Sequence, residues 1–179
     1  VDAEQQRLRD SACRSCTNGV ARSHLLSYER EGALLEELFT HDGSGTLIAQ
    51  NPYEQARSAD INDIASIVEV IRPLEDSGAL VKRSRERLEE EIGYFSILER
   101  DGRVLACAAL YPYEAESVGE IACVATHPDY RGTGRARQLL DELLAEAKAL
   151  SLTHVFVLTT QSTHWFLEQG FGAASLDDL

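Results

Sequence analysis

The sequence predicts an α/β protein, more narrowly of the α+β kind, and three observations carry that reading. From residue 57 onward the apolar periodicity switches in the order helix, helix, strand, strand, strand, glycine turn, helix, strand, helix. Two of those strands meet at Asp101-Gly102, a turn pair suited to an antiparallel hairpin. Asn51-Pro52 interrupts the chain before this pattern begins, so the expected boundaries are residues 1–52 for a first segment and 53–179 for the core domain.

Within the first segment, residues 1–18 read as a helix that Gly19 stops, 20–28 as a strand, and 33–39 as a short helix. His41-Asp42-Gly43-Ser44-Gly45-Thr46 is a loop of turn formers. In the second, Asp60 is an N-cap for a helix with Ile61, Ile64, Ile67, Val68 and Ile71 on one face, expected to end at Arg72-Pro73. Ser84 caps a second helix that runs through Ile92. Strands are expected over 94–99, 103–110, 119–126 and 153–160. Ala136, Leu139, Leu140, Leu143, Leu144, Ala147 and Leu150 form the stripe of the long helix between the last two. Ser162 opens a short final helix closed by Gly170.

Composition bounds the function. With 179 residues and 44 % hydrophobic content the chain builds a packed core. A net charge of −13 argues against nucleic acid and anionic membrane as partners. No apolar run reaches the roughly 18 residues of a membrane span, and no segment has the pattern of a secretion leader. Cys13 and Cys16 make a Cys-x-x-Cys with no second pair or histidine cluster at zinc spacing, so no metal is expected. The two read as small residues of a helix, and Cys107 and Cys123 as buried strand residues, which suits a reducing cytoplasm. A chain that starts at Val1 and holds no methionine is expected to be a piece of a longer protein.

The strand ending at Thr126 runs into His127-Pro128-Asp129-Tyr130-Arg131-Gly132-Thr133-Gly134-Arg135-Ala136 and then into the long helix. First-turn N–H groups of a helix lack intrahelical partners, and the dipole adds positive potential. Such a turn is a cradle for a phosphorylated ligand. Arg131, Arg135 and Arg137 against Asp129 make it a basic island in an acidic chain. The same residues also fit a plain strand-to-helix connection with a solvated basic face. The spacing Arg131-x-x-Gly134-x-Ala136 resembles the pyrophosphate signature of the GNAT acetyltransferase superfamily. That resemblance implies a mixed, mostly antiparallel sheet with flanking helices, and acetyl-CoA as co-substrate.

Further segments resemble one branch of that superfamily, the bacterial amino-acid N-acetyltransferases or N-acetylglutamate synthases. They are Ile71-Arg-Pro-Leu-Glu-Asp-Ser-Gly78, Lys82-Arg-Ser-Arg-Glu86, Ala106-Cys-Ala-Ala-Leu-Tyr111, Gly119-Glu-Ile-Ala-Cys-Val-Ala125 and His164-Trp-Phe-Leu-Glu-Gln-Gly-Phe171. The resemblance implies acetyl transfer from acetyl-CoA to the α-amine of L-glutamate, the first step of arginine biosynthesis. It implies Glu120 as the base, since an ammonium must lose a proton before it attacks. It implies an oxyanion-binding N–H at Cys123 or Val124. Nothing beside the Cys123 thiol in sequence activates it as a nucleophile. Cofactor contacts fall on Cys123, Val124, Arg131, Gly132, Thr133, Gly134, Arg135 and Ala136.

Many superfamily members place a tyrosine proton donor where this chain has Phe166, which cannot donate. Thr159 is the better candidate, because the resemblance implies a hydroxyl at that strand end, or else it is a β-branched residue that merely suits a strand. The thiolate can also leave unassisted. Arg83 matches the position that grips a substrate carboxylate, and a second such arginine is expected beyond Leu179. The first segment resembles the end of an amino-acid-kinase-like domain that takes arginine as an effector in this branch. Glu37, Gly43 and Gly45 would then line the effector pocket, or else form a capped helix and a turn. The branch also implies a homo-oligomer. Two other readings stay open: a GNAT enzyme for another amine, such as a protein N-terminus or a small molecule, and a non-catalytic module that binds coenzyme A or arginine.

Overall fold

The computed structural model describes residues 3–40, 43–50 and 54–174, so His41, Asp42 and the Asn51-Pro52 break lie outside the described residues. Packing divides the chain into two compact units, residues 1–53 and 54–179. In the first unit, α1 (Ala3–Thr17) precedes β1 (Arg22–Leu25), α2 (Ala33–Phe39) and β2 (Thr46–Ala49). β1 and β2 pair antiparallel, with Arg22 opposite Ala49 and Leu25 opposite Thr46. Cys16 is buried and its thiol donates to the Ile48 carbonyl at 3.3 Å, whereas Cys13 is exposed. The Cys-x-x-Cys is thus split between the two sides of α1.

The second unit is a five-stranded sheet in the order β3-β4-β5-β6-β7. These are Gln55–Ser58, Phe95–Arg100, Arg103–Tyr113, Val118–Thr126 and His154–Phe156. Its first four strands pair antiparallel and β7 joins β6 in parallel, so the sheet is mixed. Asp101 and Gly102 both take positive φ, 50° and 78°, which gives the β4–β5 hairpin the twist its strands need.

One face of the sheet packs on α3 (Ile64–Asp76) and α4 (Arg85–Glu91). Ile64, Ile67, Val70 and Ile71 of α3 and Leu88 of α4 lie buried there on Phe95, Ile97, Cys107 and Ala109. The other face packs on α5 (Arg135–Ala149), where Leu139, Leu140, Leu143 and Ala147 meet Leu98, Ala106, Ala108, Leu110 and Ile121. α6 (Thr163–Glu168) follows β7 and adds buried Phe166. Asp60 caps the entry to α3 reciprocally. Its carboxylate accepts from Asn62 N at 2.7 Å, and Asp63 accepts from Asp60 N at 2.8 Å. Ser84 caps α4 by accepting from Arg87 N at 3.2 Å.

Three expectations need correction. α3 does not end at Arg72-Pro73 but carries Pro73 inside it to Asp76. Proline removes one N–H donor near the end of the helix, and the buried isoleucine stripe before it holds the turn in place. The last strand is not residues 153–160 but His154–Phe156, because its ladder to β6 reaches no further than Glu120 opposite Phe156. β2 and β3 were not anticipated. Four residues each and with none of them buried, they lack the apolar alternation that marks a strand.

Candidate active site

The site begins with a fault in β6. Ala109 faces Ala122 and Cys107 faces Ala125, so Ala108 alone on β5 spans Cys123 and Val124 on β6. This is a β-bulge, and Cys123 adopts φ 53° to make it. A β-branched or thiol-bearing residue rarely takes that left-handed conformation, and such strain clusters at functional sites. The bulge changes which face each residue uses. Before it, Ile121 points into the α5 core; after it, Cys123 and Ala125 point into the α3–α4 core and Val124 packs toward α5. The bulge also lies just beyond the last β6–β7 pair, so the two strands part above Glu120.

Further along β6 lies a small cleft of about 220 Å³. Val124 and Thr126 of β6, Leu74 of α3, Ser162, Trp165 and Phe166 line it together with Arg131 and Ala136. Arg131 and Ala136 belong to the glycine turn. Pro128–Tyr130 form a single 3₁₀ turn, Gly132 takes φ 76°, and Gly134 takes φ 83° as N-cap of α5. Among the described residues no hydrogen bond occupies the main-chain N–H groups of Arg131 through Arg137. A side-chain carbon built on Gly132 or Gly134 would meet nothing within 4 Å. The turn therefore presents open amides at a helix N-terminus, next to a cleft that leads along β6.

The arginines of this turn divide. Arg131 is exposed and donates from Nε to Thr126 O at 3.4 Å. Arg135 contributes its main-chain N–H to the open row, but its guanidinium faces inward. It pairs with Glu54, with Nε to Oε2 at 2.9 Å, and donates to Tyr130 O at 3.1 Å. Thr133 turns its hydroxyl to the same carbonyl at 2.8 Å.

Glu120 lies on the α3–α4 face of the sheet, opposite Tyr111 on β5 and Phe156 on β7. Tyr113 donates its hydroxyl to Glu120 Oε2 at 3.3 Å, and its ring stacks on Phe156 at 6.1 Å between centroids. Burial first, then the Glu120 charge, pushes the Tyr113 phenol up, so it stays a donor at neutral pH. The sequence offered no sign of this pair, which depends on register across three strands.

Arg83 sits on the same side, its side chain 13 % exposed, with Nε 3.7 Å from Glu91 Oε2. That Nε is buried and makes no hydrogen bond among the described residues, while Nη1 donates to Val81 O at 3.3 Å. Glu91 accepts from the Tyr111 hydroxyl and from Arg87 Nε, both at 2.7 Å. Burial works to raise the Glu91 carboxyl, yet these two hydrogen bonds together with the charges of Arg87 and Arg83 outweigh it and hold it low. Cys123 and Cys107 are buried, and burial pushes the Cys123 thiol up to about 11 against the opposing pull of Arg83. At neutral pH it is a thiol, not a thiolate.

Thr159 lies three residues past the end of β7. Its hydroxyl accepts from Ser162 N at 3.0 Å, and it lines a larger apolar cavity of about 640 Å³ with Phe156, Leu144, Phe166 and Phe171. Trp165 packs on Phe166 at 4.8 Å between ring centroids and also lines the small cleft. In the first unit, Glu37 Oε2 accepts from Ser44 N at 2.7 Å and Gly45 N at 3.0 Å, and its Oε1 meets His24 Nδ1. A side chain on Gly43 would collide with that carboxylate.

The acetyltransferase (GNAT) family matches residues 61–171, which include β6, the glycine turn and the cleft. The amino-acid acetyltransferase of Azotobacter vinelandii is 53 % identical over 175 residues, 98 % of this chain and 40 % of that protein. The amino-acid acetyltransferase of Proteus mirabilis is 54 % identical over 173 residues, 97 % of this chain and 39 % of the relative. The crystal structure of N-acetylglutamate synthase from Neisseria gonorrhoeae, complexed with coenzyme A and L-arginine, superposes with a TM-score of 0.86 at 40 % identity, covering 100 % of this chain and 41 % of that one. The same enzyme with coenzyme A and N-acetyl-glutamate gives 0.69 at 41 % identity, covering 100 % and 42 %. This chain thus spans about two fifths of the length of these relatives. With the family match extending over most of the chain and the mixed, bulged sheet that goes with it, the chain belongs to the acetyltransferase (GNAT) family.

Proposed function

We propose that the 54–179 unit transfers the acetyl group of acetyl-CoA to the α-amine of L-glutamate, giving N-acetylglutamate and coenzyme A. The observation that carries this reading is the row of open amides at Arg131–Arg137 beside a cleft lined by Val124 and Thr126, on the same strand as Glu120 and beyond the last pairing of β6 with β7. The diphosphate of acetyl-CoA takes the amides, and Arg131, Gly132, Thr133, Gly134, Arg135 and Ala136 contact it chiefly through main chain. Its pantetheine arm follows the cleft, and the thioester comes to rest by the bulge.

The glutamate ammonium gives its proton to Glu120, directly or through one water. Tyr113 holds one carboxylate oxygen and leaves the other to accept. The neutral nitrogen attacks the thioester carbon, and the N–H of Cys123 or Val124 takes up charge on the oxygen. The C–S bond then breaks. The nitrogen gives up its second proton to water as the amide forms, and the thiolate takes a proton from solvent, relayed through the Thr159 hydroxyl or directly. Arg83 receives a substrate carboxylate through its guanidinium, whose planar fork suits the task. Cys123, protonated in its buried site, is not the nucleophile.

In this reading residues 1–52 end an amino-acid-kinase-like domain whose Glu37, Gly43 and Gly45 belong to an arginine effector pocket. The protein is a cytoplasmic homo-oligomer that opens arginine biosynthesis. Identity above 50 % to two amino-acid acetyltransferases supports the acceptor class.

The test is thiol release from acetyl-CoA, measured with a panel of free amino acids and a peptide amine. Release that requires glutamate is expected. Release independent of glutamate, release with the peptide instead, or none at all overturns the reading. Glu120→Gln should then lower kcat by about 10²–10⁴-fold with little change in KM for acetyl-CoA.

A further inference from the structure

Beneath the glycine turn lies a cluster that the proposed chemistry does not use. Tyr130, 6 % exposed, carries three guanidinium groups over its ring. Arg100, Arg103 and Arg135 lie 5.0, 5.4 and 5.2 Å from its centroid. Cations are drawn to an aromatic face, but one such partner is the ordinary case. The hydroxyl of Tyr130 accepts from Arg100 Nη2 at 3.2 Å and from Arg103 Nη1 at 3.3 Å. Its carbonyl accepts from Arg135 and Thr133. Arg103 Nη2 also lies 3.2 Å from His127 Nε2. A guanidinium cannot accept, so this is a hydrogen bond in the tautomer whose Nε2 keeps its lone pair.

Two consequences follow from this arrangement. The turn is fastened through side chains at His127, Tyr130, Thr133 and Arg135, while the N–H groups of Arg131 through Arg137 make no hydrogen bond among the described residues. Arg103 also has no carboxylate partner among the described residues. Glu54 pairs with Arg135 and lies 3.9 Å from Arg100. Among the described residues, Arg103 meets only the uncharged Tyr130 and His127. Like charges gathered at low exposure repel one another unless an anion joins them.

We propose that Arg103 and Tyr130 are positioning residues for the anion cradle: the arginine-covered tyrosine fixes the turn with its amides outward, and Arg103 adds a standing positive charge that a diphosphate completes. This rests on the reading that the cradle receives the diphosphate of acetyl-CoA, and it extends that reading to residues that touch no ligand.

The experiment is calorimetric titration of the full chain with coenzyme A at several salt concentrations, repeated with inorganic pyrophosphate. The chains compared are the unmodified one, Arg103→Gln, Arg103→Lys, Tyr130→Phe and Tyr130→Leu. Affinity of the unmodified chain should fall with salt, as screening weakens a charge-driven contact. Arg103→Gln should bind about fivefold more weakly with a flatter salt dependence, and Arg103→Lys should recover most of the slope. Tyr130→Leu should lose tenfold or more and Tyr130→Phe less, since the ring remains. In turnover, KM for acetyl-CoA should rise in these variants while KM for the acceptor stays within about twofold. A merely structural cluster would lower thermal stability without that split. If Arg103→Gln, folded by circular dichroism, binds coenzyme A with unchanged strength and salt slope, the inference falls and the function reading stands. If the unmodified chain binds neither ligand at any salt, the function reading itself falls. Should Tyr130→Leu fail to fold, Arg103→Gln and Arg103→Lys decide.

Discussion

Two glycine turns in this chain gather main-chain N–H groups, and they differ in where the anion comes from. At residues 43–45 the anion is internal. Glu37 accepts from Ser44 and Gly45 and is met by His24, and side chains on Gly43 or Gly45 have no room. A carbon on Gly45 would stand 2.5 Å from Leu25 O. At residues 131–137 the amides meet no acceptor among the described residues, and Gly132 and Gly134 border open space. The first turn spends its donors on holding α2 to its own loop. The second keeps its donors for something outside. Glycine content alone does not separate a structural turn from a binding turn; the distance to the nearest carboxylate does.

The sharpest way to break this contrast is to give the open turn an anion of its own. Gly132→Asp should weaken coenzyme A binding by one to two orders of magnitude, since charge-assisted bonds of about 1.5–3 kcal/mol are lost or opposed. Gly132 has φ 76°, so any side chain there also carries backbone strain of about 1–2 kcal/mol. Gly132→Ala measures that part alone. If the two variants bind alike, charge at the turn is irrelevant and the contrast fails.

The converse change removes the anion from the closed turn. Glu37→Gln keeps the shape but replaces a carboxylate by an amide. It should destabilise the 1–53 unit by about 1–2 kcal/mol and speed hydrogen exchange at Ser44 and Gly45 N–H. Binding of coenzyme A should not change. In the unaltered chain these two amides should already exchange more slowly than those of Arg131–Gly134, which gain protection only when coenzyme A is added.

Much of the second unit was legible because its helices are periodic and its hairpin turn is explicit. Ile64, Ile67 and Ile71, and Leu139, Leu140 and Leu143, each fill one face, and Asp101-Gly102 admits little but a tight turn. The glycine turn was legible as a pattern of residues. The division between its arginines was not, because Arg131 and Arg135 look alike in sequence while Glu54 and Tyr130 turn one of them inward. The bulge was also invisible. Ile-Ala-Cys-Val contains no glycine or asparagine to announce a positive φ at Cys123, which is imposed by pairing with β5. Tyr113 and Phe156 reach Glu120 only through the register of three strands, and no local spacing encodes that. β3, an edge strand of Gln55, Ala56, Arg57 and Ser58, lacks the apolar face by which strands are read.

The smallest effect that sharpens the contrast is acid stability of the closed turn. Contact with His24, then with the Ser44 amide, holds the Glu37 carboxyl below the usual carboxylate range. A carboxyl with a lower pKa in the folded state than in the unfolded state stabilises the fold above the unfolded value. That contribution is lost as pH falls through the folded one. The unfolding midpoint of the 1–53 unit should therefore decline as pH drops through the ordinary carboxylate range and level off below the lowered Glu37 value. In Glu37→Gln that share of the decline should vanish, because glutamine takes up no proton. Denaturant midpoints at a series of pH values, followed by exchange at Ser44 and Gly45, measure both. An identical pH dependence in the two chains would mean that Glu37 is ionised equally easily folded and unfolded, and that the turn does not depend on its own anion.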